Sequence, residues 1–249
     1  MIITRSMSPD WLSNTWLVAD EPGGHAVLID TGGPVEPIFE KVEKLGLSVM
    51  HALCTHHHVD HVAHNAVYRD RLGVTVCGHT EERALFQSLD RELSDGELIE
   101  SGGLRIRSLH IPGHTVGQLA FVVNEERVFT GDTLFRGSVG GTCGPGHTTF
   151  KDIHHSIMDV LMKLPAEMVV HPGHMGVTSV GREWESNPFI RMWRGLVPPG
   201  TGRCMAMGRP ATLLLRGPDY DGGTKCWVRF DEGARDAIVP GSMTQDQAS

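Results

Sequence analysis

The sequence predicts a layered α/β fold in which two sheets pack together with helices outside. Short apolar runs alternate with segments of helical periodicity, and the order of strands, helix and strand occurs twice along the chain. Elements that each bury one face are stable when they stack as layers. With 249 residues, 40% of them hydrophobic, the chain is long enough to bury a large core.

The first half of the chain shows the pattern most clearly. Residues 14–20 and 25–30 are apolar runs joined by Glu-Pro-Gly-Gly, which predicts a strand, a turn and a strand. Apolar residues then recur at helical spacing over 35–45 and stop at Gly46. We also expect strands at 49–55 and 74–77, and helices at 63–72 and at 80–88, the latter capped by Thr80.

The second half repeats this order and then changes in composition. The pattern predicts strands at 104–110, 118–123 and 127–130, a helix at 149–164 and a strand at 167–171. Residues 198–202, Pro-Pro-Gly-Thr-Gly, are typical of a linker. Beyond them, runs at 211–215, 225–230 and 236–239 predict a small antiparallel meander. We therefore predict a main domain over 1–197 and a C-terminal β-meander extension over 198–249.

Charge and composition argue against several classes of partner. The net charge is −8 and the 22 basic residues are scattered, whereas nucleic-acid binding requires clustered cations. Apolar runs fall far short of the roughly 20 residues that span a bilayer, and no signal peptide is recognised at the N-terminus. The five cysteines form an odd set without close pairing, which favours reduced thiols. We expect a cytoplasmic protein without nucleic-acid or membrane partners.

Histidine is abundant, with 15 residues, and it is the commonest metal ligand in proteins. The densest segment, Thr-His-His-His-Val-Asp-His over 55–61, follows a predicted strand. A loop that leaves a strand can direct His56 and His58 to one metal ion while Asp60 and His61 reach a neighbouring one. The alternative is a solvated histidine-rich loop that traps metal adventitiously.

Three later segments favour the metal site. His114 follows Pro-Gly after a predicted strand, Asp132 follows Thr-Gly after another, and His174 follows Pro-Gly after a third. Each predicted strand end thus delivers a histidine or an aspartate, as expected when loops at one rim of a rigid scaffold share a site.

These segments resemble the five ordered motifs of the metallo-β-lactamase superfamily, and the resemblance runs from about residue 14 to 190. It implies a four-layer αββα sandwich with a dinuclear metal site. The implied ligands are His56, His58 and His114 for the first metal, Asp60, His61 and His174 for the second, and Asp132 as the bridge. The resemblance also implies that Asp30 positions the loop that carries the ligands.

The chemistry follows from the metals. Two divalent cations roughly 3.5–4 Å apart share a water and lower its pKa from about 15.7 toward 7, which yields a hydroxide nucleophile. Asp60 has a second oxygen that can orient this hydroxide, so we expect Asp60 and Asp132 to be catalytic. Zinc is the expected metal, and iron and manganese accept the same ligands.

Several other side chains are given less direct roles. We expect His57 to point away from the metals, and His171 to be a less favoured replacement for His174. Ser138 and Cys143 are expected to be loop residues. The expected positions of three histidines are in solvent or at the pocket margin: His147, His154 and His155. Trp184 and Trp193 are expected to pack in a helical stretch.

Within the superfamily the chain is most similar to the glyoxalase II-like branch, the hydroxyacylglutathione hydrolases. The stretch Gly-Asp-Thr-Leu-Phe-Arg at 131–136 and Asn-Pro at 187–188 carry this resemblance. A meander replaces the helical glutathione-binding domain of that branch, and the loop 140–146 lacks its usual arginine, so the thiol carrier is left unidentified. The bridging Asp132 argues against a true β-lactamase.

The resemblance therefore implies a binuclear metallo-hydrolase that cleaves a thioester or a related acyl ester of a small molecule. A lactonase, or a persulfide dioxygenase with a single iron, are the enzyme alternatives. A metal-binding regulatory module is the non-enzymatic one. The oligomeric state is not predicted.

Overall fold

A computed structural model describes residues 1–247 of the chain. Its strands are β1 Ile2–Met7, β2 Asn14–Ala19, β3 His25–Ile29, β4 Ser48–Leu53, β5 Thr75–His79, β6 Arg91–Leu93, β7 Leu98–Ser101, β8 Leu104–His110, β9 Leu119–Val123, β10 Arg127–Gly131, β11 Leu134–Phe135, β12 Ser138–Val139, β13 Val169–Pro172, β14 Thr178–Ser179, β15 Gly202–Ala206, β16 Arg209–Pro218, β17 Thr224–Phe230, β18 Asp236–Pro240 and β19 Thr244–Asp246. Its α-helices are α1 Glu36–Leu45, α2 Val59–Val62, α3 Asn65–Leu72, α4 Phe150–His155, α5 Val180–Ser186 and α6 Pro188–Trp193.

Shorter helical segments complete the structure. They are the 3₁₀ turns Thr80–Leu85, Leu161–Lys163, Glu232–Ala234 and Gly241–Met243, and the π-helical turn Ser156–Val160. The chain divides into two compact units. The first unit comprises Met1–His110, Gly117–Gly131 and Val170–Gly176, and the second comprises Ile111–Val116, Asp132–Val169 and the chain from Val177 onward. The predicted domain division at residue 197 stays a prediction.

Two sheets form the first unit. One has the strand order β1-β2-β3-β4-β5-β6, antiparallel from β1 to β3 and parallel from β3 to β6. In the other, the strands of this unit follow the order β13-β10-β9-β8-β7. The parallel strands carry α1 and α3 as crossover helices, as parallel connections require. This combination of elements confirms the α/β class that the sequence predicts.

Side-chain alternation along the strands separates two cores in the first unit. Trp16 and Val18 of β2 face the core shared by the two sheets, which also contains Phe121 and Phe129. Their neighbours Leu17 and Ala19 face the opposite core, where α1 and α3 cover the sheet. Because successive side chains of a strand point to opposite faces, a strand covered on both sides reads as a continuous apolar run.

Most predicted elements of the first unit are present, the segment predicted as a helix over 80–88 differs, and β1, β6 and β7 lie outside the predicted strands. α1 ends at Gly46, which adopts φ 63° and closes the helix in the left-handed conformation. The segment predicted as an α-helix over 80–88 is instead a 3₁₀ turn, and its cap is His79, whose side chain accepts from the backbone N–H of Glu81. The hydroxyl of Thr80 donates to Glu92 and is therefore engaged elsewhere.

The second unit holds the predicted meander in an extended form. Its sheet has five strands in the order β18-β17-β16-β15-β19. The sequence predicted only three of these strands. β15 begins within the segment predicted as a linker, and β19 is short and polar, so neither has a clear strand pattern. A small core forms on one face and includes Cys204, Cys226 and Phe230. In residues 1–247 no helix is long and apolar enough to cross a membrane.

Candidate metal centre

The loop after β4 presents its ligand-type side chains in the first unit. His56 and His61 are buried, His58 is half-buried, and Asp60 has 23% of its side chain exposed. α2 is a single turn, Val59–Val62, and it carries Asp60 and His61 at the end of the loop. Nε2 of His56 lies 3.0 Å from Nδ1 of His58. These two nitrogens therefore face each other.

A triad in the first unit has the dimensions of a metal site. Oδ2 of Asp60 lies 3.4 Å from Nε2 of His61 and 3.4 Å from Nε2 of His174, and the two nitrogens are 3.3 Å apart. Ligand bonds of about 2.0–2.1 Å in a tetrahedral site place ligand atoms roughly 3.3–3.4 Å from one another. The three atoms thus match the edges of such a coordination shell, and their donor set fits a divalent cation.

Asp30 positions two of the histidines. Its buried carboxylate lies 2.9 Å from Nδ1 of His61 and accepts hydrogen bonds from the backbone N–H and the hydroxyl of Thr55, at 2.7 and 2.8 Å. The hydroxyl of Thr55 lies 3.0 Å from Nδ1 of His56. With both Nδ1 atoms donating, Nε2 of each ring keeps its lone pair for a metal.

His174 is fixed by the backbone. It follows β13 and forms an isolated β-bridge with Ser13. Its Nδ1 lies 3.0 Å from the carbonyl oxygen of Trp11, which accepts the proton of that nitrogen. Nε2 is thereby the atom directed toward Asp60.

His171, the alternative to His174, lies in a different environment. Its ring stacks on Phe129 with centroids 4.5 Å apart and meets Trp16 edge to face at 4.7 Å. Neither ring nitrogen has a hydrogen-bond partner among the described residues. Burial lowers the pKa of His171 to about 4. The side chain is a neutral core residue in this structure.

Two further predicted ligands lie in the second unit. Nε2 of His114 is 3.7 Å from Oδ2 of Asp132. Nδ1 of His114 lies 3.0 Å from the carbonyl oxygen of Gly141, so this histidine too is held through Nδ1. Gly113, just before it, adopts φ 142°, and a Cβ there would lie 2.4 Å from Cβ of Ile153. The Pro-Gly-His turn therefore requires glycine at this position.

Other predicted residues occupy supporting positions. Nδ1 of His57 lies 3.0 Å from the carboxylate of Glu82, whereas the pair of facing nitrogens is formed by His56 and His58. His155 is exposed and pairs with Asp159, whereas His154 packs on Phe150 and Trp193 rather than pointing into solvent. Trp184 packs under the guanidinium of Arg194.

Two polar residues around the ligand loop were not identified from the sequence. Glu82 is fully buried and accepts from the backbone N–H of Gly117 at 2.9 Å. Asn65 accepts from the hydroxyl of Thr31 at 2.8 Å, beside the loop. A lone glutamate or asparagine in a helical segment is usually a solvated residue, so the sequence contains no signal for either role.

The first unit contains one more group of ligand-type side chains. The rings of His79 and His110 stack with centroids 4.1 Å apart, and Glu81 brings a carboxylate within 4.8 Å of their nitrogens. Burial lowers the pKa of His79. His79 and His110 are the last residues of β5 and β8, and no recognisable motif in the sequence marks them as ligands.

Comparison with known proteins identifies the family. The sequence family model of the metallo-beta-lactamase superfamily matches residues 8–174. The chain belongs to this superfamily. The hydroxyacylglutathione hydrolase GloC of Haemophilus influenzae is 32% identical over 186 residues, which cover 67% of this chain and 87% of that protein. The glyoxalase II-like resemblance and the metallo-β-lactamase fold expected from the sequence are thus confirmed.

Two further superfamily members are informative. A probable zinc-dependent hydrolase of polyketide biosynthesis, BaeB of Bacillus velezensis, is 29% identical and covers 71% of this chain and 79% of its own length. The crystal structure of the BLEG-1 B3 metallo-beta-lactamase superimposes with a TM-score of 0.71 at 25% identity, over 76% of this chain and 99% of that one. This metallo-β-lactamase superfamily protein is accordingly a metal-dependent hydrolase.

Proposed function

We propose that the protein is a dinuclear hydrolase that cleaves a thioester or a related acyl ester of a small molecule. The observation that carries the proposal is the triad of Asp60, His61 and His174, whose three ligand atoms lie 3.3–3.4 Å apart. The similarity to a hydroxyacylglutathione hydrolase supports an acyl thiol as the substrate.

The proposed ligand set is the one that the sequence motifs imply. His56, His58 and His114 would hold one cation, the triad would hold the other, and Asp132 would contribute its carboxylate to both. Two supporting facts come from separate parts of the chain. Nε2 of His56 and Nδ1 of His58 face each other at 3.0 Å, and Nε2 of His114 faces the carboxylate of Asp132 at 3.7 Å.

The chemistry divides between the cations and the protein. When bound, two divalent cations lower the pKa of a shared water from about 15.7 toward about 7, so that a nucleophile exists at neutral pH. The second carboxylate oxygen of Asp60 would orient that nucleophile. Asp30 and the backbone carbonyls of Trp11 and Gly141 fix the imidazole rings, which preserves the ligand geometry through turnover.

Zinc is the proposed metal. Three imidazole nitrogens and a carboxylate suit it, and a relative is named as zinc-dependent. Iron and manganese accept similar donors, so elemental analysis of the purified protein is the first measurement. Two equivalents of zinc per chain are the expected result, whereas a single iron together with oxygen consumption on a persulfide would overturn the proposal.

Activity decides the substrate class. Metal-loaded protein should hydrolyse acyl thioesters faster than lactones, phosphoesters or β-lactams in a common panel. Asp132→Ala should lose a metal and nearly all turnover while its circular dichroism is retained. Asp159→Ala, which removes an exposed carboxylate of the same unit, should keep both. Faster hydrolysis of a lactone or a β-lactam, or an Asp132→Ala variant of full activity, would contradict the proposal.

A further inference from the structure

The second unit contains a large cavity between its β-sheet and the loop that follows the bridging aspartate. The cavity has a volume of about 670 Å³, and its lining includes residues 142–143, 147–151 and 235–237. Ligand pockets of roughly 300–1,000 Å³ hold molecules of drug or nucleotide size. The sheet that lines it belongs to the C-terminal part of the chain, in which the resemblance to related hydrolases would imply a helical domain for glutathione.

The loop that lines the cavity also holds the ligands of this unit. The carbonyl oxygen of Gly141 accepts from Nδ1 of His114 at 3.0 Å. The next residue, Thr142, donates its backbone N–H to Ile238 at 2.8 Å and accepts from the N–H of Ile238 at 3.0 Å. Gly140 donates to Thr133, beside Asp132. The short segment 140–142 therefore contacts the cavity through Thr142 and His114 through Gly141, and it bonds beside Asp132 through Gly140.

The charge of the lining is opposite to that of the chain as a whole. Lys151, Arg209 and Arg235 line the cavity, although the net charge of the protein is −8. Within residues 1–247 neither Lys151 nor Arg235 forms an ion pair with an acidic side chain. Arg209 pairs with Glu232, whose side chain is 85% exposed, and such exposed pairs are weak. Lys151 and Arg235 are therefore available to an anion, and Arg209 adds a third positive charge to the lining.

The single carboxylate of the lining is already engaged. Asp236 accepts two hydrogen bonds from the guanidinium of Arg229, at 2.6 and 3.0 Å, and one from the indole N–H of Trp227 at 3.1 Å. Among the described residues, no other acidic side chain lines this cavity. A peptide thiol such as glutathione carries a positively charged α-ammonium group, and the lining offers it no uncommitted carboxylate. An anion without a cationic group fits better.

Aromatic side chains add a second kind of contact. The rings of Phe150 and Phe230 line the cavity. Phe150 stacks on Trp227 with centroids 5.1 Å apart and an interplanar angle of 13°, so its plane is fixed. Arg209 lies over the ring of Phe230 at 4.4 Å. Fixed aromatic planes beside guanidinium groups suit a ligand that combines phosphates with a flat ring.

We propose that this cavity binds the carrier half of the substrate, a thiol carrier that bears phosphate groups and a nucleotide base. This inference rests on the proposed thioester hydrolysis and specifies its substrate class. Lys151 and Arg235 bind the phosphates, and the aromatic rings contact the base. The acyl end of the same molecule then extends along the loop to His114 and Asp132.

The binding test uses adenosine 3′,5′-bisphosphate, which carries phosphates and a base but no thiol that could ligate a metal. Titration calorimetry on the metal-loaded protein should show one site per chain, with quenching of tryptophan fluorescence because Trp227 backs the cavity. In the double variant K151S/R235S the affinity should fall on the order of tenfold or more. The matched control R216S removes an arginine of the same sheet that pairs with Asp246, and it should bind as the parent does.

Kinetics provide the second readout. The ratio of kcat/KM for acetyl-coenzyme A to that for acetyl-N-acetylcysteamine should fall on the order of tenfold in K151S/R235S, chiefly through KM. Failure of the bisphosphate to bind would overturn the assignment of the cavity. So would equal loss of affinity in R216S, equal affinity for 4′-phosphopantetheine, or tighter binding of glutathione. Binding without thioester hydrolysis would instead retain the cavity site and reject the proposed reaction.

Discussion

Oδ2 of Asp30 lies 2.9 Å from Nδ1 of His61, and through Thr55 the same carboxylate reaches His56. One buried side chain therefore fixes the rings of two proposed ligands. Partners of this kind set the tautomer of a ligating histidine and raise its basicity, and their loss typically costs about 10–100-fold in metal affinity.

Asp30→Asn should lower the affinity for zinc by about 10–100-fold, because the neutral amide no longer stabilises the proton on Nδ1 of His61. Competition with a coloured chelator measures the apparent Kd. Asp20→Asn is the matched control, since Asp20 accepts backbone N–H groups of a turn in the same unit and lies outside the ligand loop. Equal zinc affinities in the two variants would contradict the role of Asp30.

His174→Ala should reduce the metal content from two equivalents to one. It removes one of three ligand atoms that lie 3.3–3.4 Å apart around Asp60 and His61. Elemental analysis after gel filtration measures the loss, and His155→Ala, at an exposed position, controls for the removal of an imidazole. Retention of two tightly bound equivalents would show that His174 is not a ligand.

Gly32→Ala should destabilise the protein and lower its metal content. A Cβ at this position would lie 1.6 Å from the carbonyl oxygen of Asp60 and 2.8 Å from Oγ of Ser13. Since the first of these atoms is backbone, the ligand loop must move, at a cost of about 1–3 kcal/mol. Denaturant unfolding and elemental analysis test this. Gly176→Ala, where nothing lies within 4 Å of the added Cβ, should leave both unchanged.

His171 should make the protein acid-sensitive. Its pKa is about 4 in the folded state against 6.5 as the ordinary value. The unfolded chain therefore takes up the proton first, and stability falls as the pH drops from about 6.5 toward 4. One unit of pKa difference corresponds to about 1.4 kcal/mol, so at pH 5 the loss from this group is about 2 kcal/mol.

The test compares the free energy of unfolding of metal-free parent and His171→Phe between pH 7 and 4.5. The phenyl ring fits the aromatic surroundings of Phe129 and Trp16 and has no proton to take up, so the variant should lose less stability on acidification. Parallel pH curves for the two proteins would show that His171 does not carry the effect.

The sequence predicted the parts of this structure that depend on local patterns. The alternation of apolar residues in β2 and the spacing along α1 reflect one-dimensional periodicity, and both elements are confirmed. The 3₁₀ turn at Thr80–Leu85 was predicted as an α-helix, because its geometry depends on the partners of His79 and Thr80. Such partners lie outside the local sequence window.

Prediction of the candidate site from the sequence is also limited to what local patterns contain. The histidine and aspartate motifs identified the ligand-type residues, because metal chemistry restricts both residue type and position. Glu82, fully buried against His57 and Gly117, could not be found, since its burial arises from segments 25 to 35 positions away. The cavity of the second unit could not be found either, since a cavity is formed by residues that the chain brings together only on folding.

The acceptors for Nδ1 of His174 and His114 are main-chain carbonyls, those of Trp11 and Gly141. A carbonyl is present whichever amino acid occupies a position, so residue 11 can be substituted during evolution without loss of the hydrogen bond to His174. Comparison of homologues would then show variability at a position that orients a ligand. Backbone deletion, or an ester replacing the amide, would reveal such an anchor where side-chain scanning would not.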